Sequence, residues 1–165
     1  MPFQNLVEEI DLSDLRICCD DRANRVYRLL LDNPYHATVV GRIRIQHMRL
    51  IKQAELLSLL SRLAYARLPL NRDAITAVFA TSGHRLRRLE LFWGKEQPLH
   101  SFSLPSFSAL QTLVVDVHAS ATVPEDFAQG HVTLQALTAL EIHQAPRWFL
   151  RTIETFRSAL LEGAR

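Results

Sequence analysis

Apolar residues return along this chain with one spacing, Leu-x-x-Leu-x-Leu. The clearest copy is Leu86-Arg-Arg-Leu89-Glu-Leu91. Leu110-Gln-Thr-Leu113-Val-Val115 and Leu137-Thr-Ala-Leu140-Glu-Ile142 follow it, and Leu63-Ala-Tyr-Ala66-Arg-Leu68, Val40-Gly-Arg-Ile43-Arg-Ile45 and Val7-Glu-Glu-Ile10-Asp-Leu12 precede it. Counted from Val7, Val40, Leu63, Leu86, Leu110 and Leu137, the intervals are 33, 23, 23, 24 and 27 residues. A strand alternates its side chains between two faces, so the fourth and sixth residues of each copy share one side. The first position packs where the chain turns into the strand. The residues between face the other way.

One such strand cannot bury its apolar edge alone. Stacked parallel on its neighbours, with a helix or loop returning the chain each time, it completes a continuous core. The pattern predicts an α/β leucine-rich-repeat solenoid of about six irregular repeats, a curved parallel sheet with helices and loops on its convex side. It is read as one domain over residues 1–165. Strands are expected near 7–13, 40–46, 63–69, 86–92, 110–116 and 137–143.

The connecting segments change rhythm. Ala23, Val26, Tyr27 and Leu30 mark one side of a helix over 22–31, stopped by Asp32-Asn33-Pro34 because proline disfavours helical geometry in the residue before it. Leu56, Leu59, Leu60 and Leu63 form a second stripe, with the helix expected to end near Ser61. Asn71 is either the turn asparagine of a consensus repeat or the N-cap of a helix over 72–81. That helix would bury Ile75, Val78 and Phe79 and end at Gly83. Pro98, Pro105 and a serine-rich run argue for a loop before Leu110, with Leu99, Phe102, Leu104 and Phe107 in the core. Residues 118–133 read as another loop. Phe149, Ile153, Phe156 and Leu160 give a last helix over 147–161 one apolar face.

Residues 7–13, 25–34 and 39–45 resemble the region that follows the F-box in fungal F-box/leucine-rich-repeat proteins. Residues 86–91, 104–113 and 137–142 are similar to the later repeats of that family. The resemblance implies a substrate-recognition-type repeat domain. The F-box, a helical motif of about 40 residues that binds a ubiquitin-ligase adaptor in that family, has no counterpart here, so ligase recruitment is not implied. A fragment of a longer F-box protein, without independent function, is one reading of that absence.

On stacked strands the outward positions would line a concave face. They run Glu9, Asp11, Ser13; Arg42, Arg44, Gln46; Tyr65, Arg67, Pro69; Arg88, Glu90, Phe92; Thr112, Val114, Asp116; and Ala139, Glu141, His143. Arginine and aromatic side chains gather in the middle, at Arg42, Arg44, Tyr65, Arg67, Arg88 and Phe92. Acidic residues mark both ends, Glu9 and Asp11 at one and Asp116 and Glu141 at the other. Guanidinium forks pair carboxylates and rings exclude water, as protein-binding hot spots require. The expected partner is a protein or peptide with an acidic segment, held by Arg42, Arg44, Tyr65, Arg67, Arg88, Glu90, Phe92, Asp116 and Glu141. The alternative is a nucleic acid held by the same arginines.

Composition narrows this further. With 19 basic against 17 acidic residues and a net charge of +2, the chain lacks the strong basic excess of a dedicated nucleic-acid binder. No apolar run is long enough to span a membrane, and the N-terminus lacks the basic start and apolar stretch of a secretory signal. Adjacent Cys18 and Cys19 suit a reducing compartment better than a structural disulfide, so an intracellular location, cytoplasmic or nuclear, is expected. There is no Gly-x-Ser-x-Gly turn, and the five glycines form no phosphate loop. The seven histidines lack paired ligand spacing, and a zinc site from Cys18, Cys19 and His36 would lack a Cys-x-x-Cys framework. The reading is a non-enzyme with no cofactor and no metal. Oligomeric state is not fixed by sequence.

Overall fold

The computed structural model describes residues 11–46, 53–93, 107–117, 136 and 138–143. They form an α/β structure around a six-stranded, all-parallel sheet. The strands are β1 (Leu15–Ile17), β2 (Arg42–Ile45), β3 (Tyr65–Pro69), β4 (Arg88–Trp93), β5 (Thr112–Val117) and β6 (Ala139–His143), and they lie side by side in chain order. The described helices are α1 (Asp20–Asp32), α2 (Pro34–Val39), α3 (Gln53–Ser58) and α4 (Arg72–Ser82). No described helix is long and apolar enough to cross a membrane.

The register follows the apolar repeat. Leu15 pairs Ile43, Ile43 pairs Ala66, Ala66 pairs Leu89, Leu89 pairs Leu113, and Leu113 pairs Leu140. Two residues on, Ile17, Ile45, Leu68 and Leu91 point the same way, and all are essentially buried. The leading positions Val40, Leu63, Leu86 and Leu110 are fully buried where the chain turns into each strand. Ala23, Val26 and Leu30 of α1, Leu56 and Leu57 of α3, and Ala74, Ile75 and Val78 of α4 join the same core. Each large aliphatic side chain buried this way contributes roughly 1.5–3 kcal/mol. Val115, Leu140 and Ile142 are only partly buried, so the core thins towards β6.

A backbone device repeats with the side chains. The carbonyl of Gly41, just before β2, accepts the N–H groups of both Ala64 and Tyr65. Ala64 does the same for Arg87 and Arg88, Arg87 for Gln111 and Thr112, and Gln111 for Thr138 and Ala139. One oxygen thus fixes the start of the next strand, four times over.

The first strand departs from expectation. Residues 7–10 lie outside the described residues, and 11–14 form a bend, not a strand. Asp11 Oδ1 accepts hydrogen bonds from the Ser13 N–H at 2.8 Å and its hydroxyl at 2.7 Å, a local turn that competes with extended pairing. Pairing begins five residues later, on Leu12-Ser-Asp-Leu15-Arg-Ile17, which has the same spacing. The first interval is therefore the 28 residues from Leu15 to Ile43.

Helix ends explain the other differences. Asn33 closes α1, its N–H bonding the Leu29 carbonyl, and Pro34 then opens α2 at a position where a missing N–H costs nothing. The proline expected only to stop a helix also starts one. Helix α3 ends at Ser58 rather than near Ser61, and the chain tightens through bonds from Leu59 N–H to the Leu56 carbonyl and Leu60 N–H to the Leu57 carbonyl. Asn71 is an N-cap: its side-chain oxygen accepts from the N–H groups of Asp73 and Ala74. Gly83 ends α4 with right-handed φ and ψ of −56° and −33°. A Cβ there would meet the Phe79 carbonyl oxygen at 2.5 Å, so the glycine serves a close approach. Phe79, expected in the core, is 39% exposed and meets buried Phe107 edge-on at 5.3 Å between ring centres. Leu99, Phe102, Leu104, the 118–133 loop and the 147–161 helix lie outside the described residues.

One buried polar side chain ties α4 to the segment between α3 and β3. The Ser82 hydroxyl is fully buried, donates to the Leu60 carbonyl at 2.7 Å and accepts from the Leu63 N–H at 3.2 Å. Replacing Ser82 with alanine would leave both backbone groups unpaired in the core. The expected loss is about 1–3 kcal/mol of unfolding free energy, measured by urea denaturation. Unchanged stability would show that these groups find other partners.

Candidate functional site

All nine residues singled out from the sequence lie on described strands, and pairing aligns them in rows across the face opposite the helices. The first row runs Arg42, Tyr65, Arg88, Thr112, Ala139. The second runs Arg16, Arg44, Arg67, Glu90, Val114, Glu141. The third aligns Pro69, Phe92, Asp116 and His143. Pro69 and Val114 share this side but are buried, Val114 set low between the longer side chains of Glu90 and Glu141.

Arg16 and Asp14 belong to this surface and were missed, because the register was set five residues early. The chain itself carries the signal that would have found them: Leu12-x-x-Leu15-x-Ile17 gives a first interval closer to the others. The correction changes the charge layout. Glu9 lies outside the described residues and Asp11 sits in the bend. The β1 edge therefore carries an arginine on the face, where an acidic end was expected. The face runs from basic on β1–β3 to acidic on β5–β6.

The contacts divide the arginines by role. Arg42 lies over the Tyr65 ring at 4.9 Å from its centroid, and Arg44 approaches the same ring at 5.5 Å. Arg67 lies over Phe92 at 5.9 Å. Such stacking contributes about 0.5–1 kcal/mol each at exposed sites and restricts where the guanidinium sits. Asp14 pairs Arg16 at 3.1 Å and Arg44 at 3.4 Å. Arg88 is occupied internally: its Nε donates to Glu90 at 2.8 Å and its Nη1 to Glu141 at 3.4 Å. Arg67 reaches Glu90 only at 3.9 Å and keeps 45% of its side chain exposed. No carboxylate of the described residues pairs with Arg42.

Glu90 is the hub. Burial alone would push its carboxyl up, but hydrogen bonds from Arg88 and Tyr65, and the charges of Arg88 and Arg67, hold it below the usual 4.5. Burial, then the Glu90 hydrogen bond and charge, push the Tyr65 phenol above 10, against Arg44 and Arg67. The Glu90 hydrogen bond holds Arg88 more firmly protonated. On β6, His143 Nε2 lies 3.6 Å from Glu141.

Between these groups the surface dips into a hollow of about 90 Å³, lined by Arg67, Arg88, Glu90, Leu91, Phe92, Val114, Asp116 and His143. Small-molecule sites typically enclose roughly 300–1,000 Å³, so this hollow suits one inserted side chain. Among the described residues no three His, Cys, Asp or Glu side chains converge as metal ligands do. Cys18 and Cys19 are both exposed, with their Sγ atoms 3.9 Å apart. Comparison with family models, with curated proteins and with solved structures gives no match to the chain.

The lowered Glu90 value has a pH consequence. A carboxyl depressed on folding contributes stability that is present above its unfolded value of about 4.5 and is lost as pH falls through the folded value. Glu90→Gln should therefore flatten the acid side of the stability profile as pH falls through and below about 4.5. The difference should be about 0.5–1 kcal/mol, because the cluster is partly exposed and screened. Urea titrations of both proteins at several pH values measure it, and parallel profiles would remove Glu90 from its place as hub.

Proposed function

We propose that this chain is a non-catalytic recognition module of the leucine-rich-repeat type, binding an acidic protein segment on the exposed face of its sheet. The observation that carries this reading is the alignment of Arg42, Arg44 and Arg67 on adjacent strands over Tyr65 and Phe92. Among the described residues Arg42 is unpaired by any carboxylate, Arg67 reaches Glu90 only at 3.9 Å and Arg44 is held by Asp14 alone at 3.4 Å. Arginine forks held over rings can pair carboxylates bidentately while the rings exclude water. The aligned leucines and the repeated strand-start hydrogen bonds support the solenoid reading, in which this face would be the concave one. The likeness to the repeats of fungal F-box proteins fits such a role, with substrate selection as the function it suggests.

Nucleic acid is the weaker reading. Asp14, Glu90, Asp116 and Glu141 share the face with the arginines, and a phosphate backbone crossing it would meet four carboxylates.

The test reverses the three available arginines, Arg42→Glu, Arg44→Glu and Arg67→Glu, and leaves Arg88 in its internal pairing. Fluorescence anisotropy with a labelled peptide carrying one short acidic patch flanked by neutral residues should show at least a tenfold loss of affinity. Circular dichroism should show an unchanged fold. Equal affinity for wild type and triple variant would reject the surface. Tighter binding of duplex DNA, with affinity falling steeply as salt rises, would favour the phosphate reading instead.

A further inference from the structure

We infer that the segment bound on this face is dipolar and short: an acidic group over β2–β3, then one apolar side chain, then a basic group over β5–β6. This inference rests on the proposed binding face and adds the partner's charge order and spacing.

Several charges on this face lack a close opposite charge among the described residues. At one end Arg42 has no carboxylate among the described residues, and Arg67 has one only at 3.9 Å. At the other end Asp116, on β5, has no cation among the described residues. Glu141, on β6, is 41% exposed and shares the Arg88 guanidinium with Glu90. A uniformly acidic segment would gain at β2–β3 and be repelled at β5–β6. A uniformly basic one would suffer the reverse. Only a segment carrying both signs in the right order is complementary along the whole row, and like-charge contact is what suppresses wrong partners.

The spacing follows from sheet geometry. Neighbouring strands lie about 4.8 Å apart, so β2 to β5 is about 14 Å and β2 to β6 about 19 Å. The shortest separation, β3 to β5, is about 10 Å, and an extended peptide crossing the strands advances roughly 3.3 Å per residue, so its acidic and basic groups stand about three to six residues apart. The hollow, whose apolar lining is Leu91, Phe92 and Val114, is flanked by Arg67 of β3 and Asp116 of β5. Its volume of about 90 Å³ admits one side chain, the apolar part of its lining suits an aliphatic one between the charges, and the order of the charges sets the direction in which the segment lies. Salt bridges on an open surface are individually weak, so orientation and exclusion of wrong partners would come from the pattern, and much of the affinity from the buried apolar anchor.

The experiment is selection of displayed random ten-residue peptides on the full chain, counter-selected on the Arg42→Glu, Arg44→Glu, Arg67→Glu variant. Selected sequences are expected to carry aspartate or glutamate and, about three to six positions away in one fixed direction, lysine or arginine, with an aliphatic residue between. For a synthetic peptide of that form, replacing the basic residue with alanine should weaken binding about two- to fivefold. The same replacement should have little effect on binding to the protein carrying Asp116→Asn and Glu141→Gln, whose charge removal leaves the arginine end intact. Enrichment of acidic residues with no distal basic partner would overturn the dipolar inference while leaving the binding face standing. No enrichment that depends on the three arginines would overturn both.

Discussion

The arrangement depends on one constraint, the burial of a single apolar row shared by neighbouring parallel strands. Leu15, Ile43, Ala66, Leu89, Leu113 and Leu140 occupy equivalent positions in consecutive strands, and five of the six are nearly or fully buried. A strand has a side-chain period of two, so a slip of one residue would turn this row to water and the arginines to the core. The cost of that exchange locks the register. Once it is locked, the neighbours on the other face have no freedom: Arg16, Arg44, Arg67, Glu90, Val114 and Glu141 must also form a row. The chemistry of the exposed face is thus a consequence of packing on the hidden one.

That consequence carries a strain of its own. Arg16, Arg44 and Arg67 stand on adjacent strands, and like charges about 5 Å apart repel by close to 1 kcal/mol even in water. The protein relieves part of this locally. Asp14 sits against two of them, Glu90 leans towards the third, and the rings of Tyr65 and Phe92 receive guanidinium planes. Relief is complete at Arg88, which is held between Glu90 and Glu141, and partial at Arg42 and Arg67. The same sheet therefore contains arginines that serve structure and arginines that remain available, and only their contacts tell the two kinds apart.

The sheet and most of the face were legible in the sequence because both follow from a period-two rule anchored by leucines. Five of six strands and all nine candidate residues lie where the spacing puts them. The first strand was misplaced because two overlapping copies of the motif, from Val7 and from Leu12, satisfy the spacing equally. The Asp11–Ser13 hydrogen bonds that break one of them depend on side-chain geometry. Moving that strand replaced an acidic end with Arg16 and turned an expected basic centre with two acidic flanks into a gradient. Helix α2 and the exposure of Phe79 were hidden for related reasons. Pro34 is compatible with ending a helix or beginning one, and Phe79 lies at the margin of the stripe Ala74, Ile75, Val78 and Ser82 that α4 buries. The role of Ser82 had no sequence signal, since its two partners lie 22 and 19 residues away.

Preorganisation links fold to recognition. A free arginine loses rotamer freedom when it pairs with a ligand, at about 0.5–1.5 kcal/mol for each side chain immobilised. On this face part of that ordering is complete before any partner arrives. The strand-start carbonyls of Gly41 and Ala64 fix the starts of β3 and β4, from which Arg67 and Arg88 project. Tyr65 and Phe92 then restrict where three of the guanidinium groups lie. Lysines at the same positions would supply equal charge without the planar stacking, and would meet a partner as mobile point charges. The combination of strand register, ring and guanidinium therefore favours a partner whose charged groups are themselves held at fixed spacing, because only such a partner can use the order the sheet already possesses.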